Sequence, residues 1–295
     1  MVQQFGGDWT EEKLKLLREY LHAYTQIFEK NERAKRLRRT YLDAFAGSGS
    51  RTEKQSQAET VAPLFIGSEA KEAEVFFKGS ARIALENVPP FNHYIFVEKD
   101  AKYRATLEQL CEQFPHLHDR ILIKSGDANR FLGDWCEQTD WKRNRAVVFL
   151  DPYGMQVNWS TIEKIAATKA IDLWILYPLG QAVNRLLTRK GPPTGGWADR
   201  LTKSFGSDEW ITRFYKASPQ GTLFETPTSI KKDADFKALE NYFLERLGTV
   251  FTAVAKNTLA LRNSKGIPLF LLCFAAGNPQ GAKTAVKIAN HILKK

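Results

Sequence analysis

Apolar residues recur along this chain with two periods. Leu14, Leu17, Leu21, Tyr24 and Phe28 return every three or four positions, which predicts an amphipathic helix over 10–30. Asp8 stands as its N-cap, with Glu11 three residues on. Short apolar or β-branched runs follow at 40–42, 93–97, 120–124, 146–150, 171–177 and 268–276, and one more falls within 250–261. Helical patterns separate most of them, at 102–114, 160–169, 235–248 and 279–294. Strands alternating with helices predict an α/β fold with a largely parallel sheet. The wholly apolar run Ala146–Leu150 suits a central parallel strand. Proximity of the last two strands predicts an antiparallel edge.

Several strands end in an acid. Asp43 closes the first and is followed by Ala44, Phe45, Ala46, Gly47, Ser48 and Gly49. Two glycines so spaced allow a sharp turn and a close backbone approach. In doubly wound folds the ligand crevice lies at the carboxyl ends of the strands, and an acid after the second strand accepts from ribose hydroxyls. Glu98 ends the second strand, Asp127 follows the third in Gly126-Asp127-Ala128, and Asp151 follows the fourth in Asp151-Pro152-Tyr153-Gly154. Capping of the next helix is the competing role for Asp127. Asp151, the Pro152 carbonyl and Tyr153 together offer acceptors for N–H groups and a ring for a flat face. The third glycine of a dinucleotide fingerprint is missing, because Thr52 stands there, which argues against a nicotinamide cofactor.

Between Asp43 and Glu98 the chain is far longer than the roughly 30 residues of a bare strand-helix-strand unit, so an insertion or long loop lies there. Residues 179–247 change to helices and loops, with helical patterns at 181–190, 197–205 and 208–216. The expected division is an N-terminal helical extension at 1–39, a core at 40–178, an inserted and mostly helical cap at 179–247, and strands and a helix completing the core at 248–295. The cap aromatics Trp197, Phe205, Trp210, Phe214 and Tyr215 read as core in preference to base-stacking platforms.

Charge changes the picture more than composition. Apolar residues make up 43% and charged residues 26%, as in ordinary globular proteins, but the formal net charge is +10. That excess points to a polyanionic partner, RNA or DNA, the alternative being a soluble protein that is merely basic. Lys30, Arg33, Lys35, Arg36, Arg38 and Arg39 concentrate part of it after the first helix. The alternatives there are a solvated surface or a phosphate-contacting patch beside the crevice. Cys111, Cys136 and Cys273 are scattered, which predicts reduced structural thiols and no metal site. With no run of about 18 apolar residues and no secretion-signal pattern at 1–8, the expectation is a cytoplasmic protein without a membrane partner.

The Asp-x-Phe-Ala-Gly-Ser-Gly turn at 43–49 resembles the S-adenosylmethionine (SAM) turn of class I methyltransferases, above all those acting on exocyclic amines of nucleic-acid bases. With Phe-Val-Glu (96–98), Gly-Asp-Ala-Asn (126–129), Phe-Leu-Asp-Pro-Tyr-Gly (149–154) and the segment at 271–281, the chain resembles the three-Cys-motif partner protein family, TcmP. The resemblance spans most of the chain, the cap least. It implies a Rossmann-like, doubly wound, seven-stranded sheet whose last strand is antiparallel, with an N-terminal helix and an inserted helical cap. It further implies SAM as cofactor and a partner protein carrying three cysteines. On this reading Gly47 and Gly49 carry the turn against the amino-acid end of SAM, with Asp43 and Phe45 beside them. Glu98 takes the ribose, Asp127 and Ala128 the adenine, and Asp151, Pro152 and Tyr153 the methyl acceptor. Asp-Pro-Tyr-Gly also resembles the Asp-Pro-Phe-Gly of tRNA guanine-N2 methyltransferases, and departs from the Asp-Pro-Pro-Tyr of adenine-N6 enzymes.

Overall fold

A computed structural model gives a mixed α/β fold with a mostly parallel, multi-stranded, Rossmann-like sheet. It describes residues 7–45, 79–152, 154–217, 230–263 and 265–294. Gly47, Gly49 and Tyr153 therefore lie outside the described residues. The chain divides into two compact units, Met1–Tyr153 and Gly154–Lys294.

In the first unit, α1 (Gly7–Lys30) leads through a short 3-10 turn (Ala34–Arg36) into β1 (Arg38–Asp43). A helix that includes residues 79–85, here α2, precedes β2 (His93–Val97). Then come α3 (Ala101–Glu112), β3 (Ile121–Lys124), α4 (Ala128–Gln138) and β4 (Asn144–Leu150). The strands run in the order β3-β2-β1-β4, each pair parallel. The order reverses between β1 and β4, so the sheet has a switch point there. β1 and β4 are buried along nearly their whole length, as strands covered on both faces must be.

α1 starts at Gly7, one residue before the expected cap at Asp8. Its inward stripe holds Leu16, Leu17, Tyr20, Leu21, Tyr24 and Phe28. Tyr24 stacks on Phe91 at 5.9 Å between ring centroids, and Phe91 meets Tyr41 of β1 at 5.9 Å. Two ion pairs fix the helix across the sheet. Arg39 Nη1 lies 2.8 Å from Glu29 Oε1 near one end, and Lys13 Nζ lies 3.6 Å from Asp151 Oδ2 near the other.

The second unit contains α5 (Trp159–Ala167), β5 (Ile171–Tyr177), α6 (Asn184–Leu186), α7 (Gly196–Phe205), α8 (Trp210–Phe214), β6 (Tyr215–Ala217), β7 (Ile230–Lys232), α9 (Phe236–Val250), β8 (Ala253–Val254), β9 (Leu259–Arg262), β10 (Pro268–Ala276) and α10 (Ala282–Ile292). β10 pairs antiparallel with β5, from Leu271 opposite Tyr177 to Ala276 opposite Asp172. Both β8 and β9 also pair with β10. The single strand expected within 250–261 is thus two short ones, because Asn257 turns away to bond Asn290 of α10 through its backbone N–H and its side chain. In place of a continuous helix over 208–216, α8 stops at Phe214 and residues 215–217 form a two-stranded antiparallel ladder with 230–232. Four of the five cap aromatics are buried: Phe205, Trp210, Phe214 and Tyr215. Trp197 is exposed. Tyr177 of β5 stacks on Phe243 of α9 with ring centroids 3.6 Å apart.

Candidate functional site

The register of the parallel strands brings the acids to one edge. Asp43, the last residue of β1, lies level with Phe96 of β2 and Phe149 of β4. Glu98 and Asp151 each stand two residues beyond those positions, one residue past the ends of β2 and β4. The side-chain period of a strand is two, so the extended strands direct Asp43, Glu98 and Asp151 to the same face. Pairing continues past the strand ends, with Ala44 N–H donating to Phe149 O at 3.2 Å and Glu98 N–H to Lys124 O at 2.9 Å. All three carboxylates lie at the carboxyl edge of the sheet, Asp43 and Asp151 on either side of the switch point and Glu98 one strand beyond Asp43.

Each is held differently. Asp43 is 1% exposed and accepts from Ser80 Oγ, on α2, at 3.0 Å. Burial pushes its carboxyl up to about 7. The bonds from Ser80 and the Phe45 N–H oppose that shift, while Asp151 and Glu98 add to it. Glu98 is 2% exposed, and one oxygen accepts from Asp100 N–H at 2.6 Å. Burial raises its carboxyl to about 7 as well, against the bonds from the Asp100 and Lys99 N–H groups. Its second oxygen, Oε2, is buried and has no hydrogen-bond partner among the described residues. Leaving such an atom unpaired is costly, and buried polar atoms are nearly always paired.

Asp151 is 22% exposed at its side chain and faces Lys13, which is 3% exposed. Burial raises the Asp151 carboxyl and the Lys13 ammonium draws it back down. Beneath them Tyr41 is fully buried, and its hydroxyl has no hydrogen-bond partner among the described residues. Burial, reinforced by Asp43 and Asp151, holds that phenol well above its ordinary range. Pro152 and Phe45 are buried beside these acids in the chain.

Asp127 sits at the same edge, just past β3, but it is exposed and caps α4 by accepting from Arg130 N–H at 2.9 Å. Ala128, the first residue of α4, is buried. The basic run after α1 is not beside these carboxylates. It adjoins the amino end of β1, five residue steps or about 16 Å from Asp43.

Lys13, Ser80 and Tyr41 are members of the site that the motifs do not indicate. Lys13 does leave a trace, since it shares the helical spacing of Leu17, Tyr20, Tyr24 and Phe28 and is therefore a lysine on an inward stripe.

No protein-family model matches the chain, and no curated protein matches its sequence. Solved structures do resemble it. Protein LPL1258 from Legionella pneumophila str. Philadelphia 1, of family DUF519, shares 13% identity over 98% of this chain and 92% of that one, with a TM-score of 0.47. A putative O-methyltransferase from Klebsiella pneumoniae shares 12% over 88% and 79%, at 0.39. An O-methyltransferase from Bacillus cereus in complex with SAH shares 12% over 88% and 80%, at 0.38. Likeness this distant assigns no activity, and the site is read from its own geometry.

The donor set suits an adenosine-bearing ligand. Glu98 Oε2 is a buried acceptor that lacks a donor among the described residues, at the strand end where doubly wound folds hold ribose hydroxyls.

Proposed function

We propose that this chain is a SAM-dependent methyltransferase. The observation that carries the reading is the buried Oε2 of Glu98, without a partner among the described residues and set at the carboxyl edge of β2, one strand from the switch point. Glu98 would accept from the ribose hydroxyls. Gly47 and Gly49 would bend the chain around the amino-acid end, with Asp43 and Phe45 beside it. Asp127 and Ala128 would border the adenine, Asp127 keeping its capping bond while its other oxygen accepts. In this scheme residues 40–178 and 248–295 form the core, 1–39 an extension and 179–247 an insert.

When bound, the cofactor supplies a sulfonium methyl group. The chain's part is to hold the acceptor in line with it, which accounts for much of the rate in a transfer of this kind. Asp151 and the Pro152 carbonyl would accept N–H bonds from an amine, and Tyr153 would cover its face. Lys13 opposes the rise that burial imposes on Asp151 and so favours its carboxylate form, the form that accepts. The accepting amine would form the C–N bond as the S–C bond breaks and the thioether leaves, and would then release its proton to solvent, so no general base is required. The acceptor we favour is an exocyclic amine of a nucleic-acid base, supported by Asp-Pro-Tyr-Gly and the net charge of +10.

A second reading has one observation in its favour. Asp151 is already paired with Lys13, as in a module that binds SAM or a nucleotide without transferring a methyl group and works with a three-Cys-motif partner protein. Incubation with radiolabelled SAM and pooled RNA, DNA and protein separates the two. Label transfer that Asp151→Ala abolishes supports the enzyme. Intact SAM binding with no transfer to any pool supports the module.

A further inference from the structure

The opposite edge of the first unit carries a different chemistry. At the amino ends of the strands, the order β3-β2-β1-β4 brings Arg120, His93, Arg38 and Arg143 to one border, stepped so that Arg120 and His93 stand level with Thr40, two residues or about 7 Å in from Arg38. Arg38 N–H donates to Arg143 O at 2.9 Å, and Arg38 pairs in register with Asn144. The four neighbouring strands span about 14 Å at the usual strand spacing. Lys35 and Arg36, on the 3-10 turn before β1, extend the row. All six side chains are exposed, and none has an ion-pair partner among the described residues. The row acts as one field: the His93 imidazole is held below its ordinary range by partial burial and then by Arg38 and Arg120. The nearest acids in the chain, Glu32, Asp119 and Asp140, leave a clear positive excess.

We propose that this edge is a docking surface for the phosphodiester backbone of a nucleic acid. Arginine forks suit phosphate oxygens, and Arg120, Arg38, Arg143, Lys35 and Arg36 along one border give a cationic band that matches a linear polyanion, with His93 as a neutral donor among them. Contacts of this kind position a nucleic acid without reading its sequence. An anionic membrane fits less well. Interfacial binding sites add several apolar side chains that enter the bilayer, whereas the turns at 30–38 and 139–145 hold no exposed large apolar residue and the loop before His93 exposes one, Val88. The surface deepens the reading of nucleic acid as methyl acceptor and rests on that reading only for its purpose. The grip would be separate from the carboxylate rim, so a bound strand would have to reach around the sheet to offer a base there.

The test is fluorescence anisotropy with a labelled single-stranded RNA and a DNA duplex, titrated over a range of salt. The triple variant Arg36→Glu/Arg38→Glu/Arg143→Glu should bind at least ~10-fold more weakly. Its salt dependence should be shallower by about one unit for each phosphate that is no longer neutralised. The neutral variant Arg36→Gln/Arg38→Gln/Arg143→Gln, with an unchanged melting temperature, guards against misfolding and should show an intermediate weakening. Lys256→Glu/Lys283→Glu/Lys287→Glu changes the same net charge elsewhere and should bind as the wild type does. S-adenosylhomocysteine affinity should be equal in all of them, so failure of this surface and failure of the cofactor site are told apart. Equal weakening in both charge-reversal variants, or binding to anionic lipid vesicles but to neither nucleic acid, would overturn the proposal.

Discussion

Lys13 Nζ stands 3.6 Å from Asp151 Oδ2, and the lysine side chain is 3% exposed. The pair joins the start of α1 to the carboxyl end of β4. An N-terminal helix that reads as an accessory to the sheet thereby supplies one wall of the carboxylate site. Removing one member of a buried pair leaves the other charge unmatched, at a typical cost of 3–5 kcal/mol when burial is complete. Asp151 keeps some solvent, so Lys13→Met should cost about 2 kcal/mol in urea unfolding. Lys13→Met/Asp151→Asn should cost less than the sum of the single changes.

Asp43 and Glu98 set a pH dependence whose sign is unusual for acids. Both carboxyls are raised to about 7 in the fold, from ordinary values of 3.8 and 4.5. Between about pH 4 and pH 7 the native protein holds protons that the unfolded chain has released. Their contribution to stability is full below about pH 4, falls as pH rises through this window, and levels off above 7. Asp43→Asn keeps an acceptor for Ser80 and removes the buried charge. It should raise unfolding free energy at pH 8 by roughly 1–3 kcal/mol and change it little at pH 4. Urea melts of wild type and variant at the two pH values give the difference directly.

Glu98→Gln should separate stability from binding. It too should stabilise the protein at pH 8. It should weaken S-adenosylhomocysteine by about 10- to 100-fold, because hydrogen bonds to a charged acceptor contribute about 1.5–3 kcal/mol. Hydroxyl donors favour the ionised carboxyl, so ligand binding should release a proton below pH 7 and affinity should climb toward pH 7 before levelling. Titrations in buffers of different ionisation enthalpy count that proton.

Gly206 closes α7 in the left-handed region at φ 67°, and a Cβ there would lie 1.9 Å from the Trp159 ring. Trp159 is 2% exposed and also carries the Arg246 guanidinium 4.8 Å above its ring. Gly206→Ala should therefore cost about 3 kcal/mol or more, through backbone strain and overpacking together. Thermal unfolding checks this without reference to function.

The long apolar strands are legible in the sequence because burial on both faces leaves little freedom of composition; β5 is predicted at its observed bounds, Ile171–Tyr177. Asp43, Glu98 and Asp151 are legible because each ends or directly follows such a strand, and Asp127 because it comes three positions after a shorter one. The short ladder of residues 215–217 with 230–232 is not, since two three-residue strands carry no period of their own. Lys13 escapes notice because a lysine is usually solvated, and a partner at the end of the fourth strand helps make its burial tolerable. The basic run is visible as charge, but its place at the amino edge follows from the direction of β1, which spacing alone does not give.

The central claim is that Asp43, Glu98 and Asp151 border a site for an adenosine-bearing methyl donor. Isothermal titration of S-adenosylhomocysteine into the full chain at about pH 7.5, above the raised carboxyl values, tests it most directly. One-site binding with Kd in the range of about 1 μM to 1 mM, weakened by Glu98→Gln, is the predicted result. Heat no greater than dilution at millimolar ligand, or binding that Glu98→Gln leaves untouched, would contradict it.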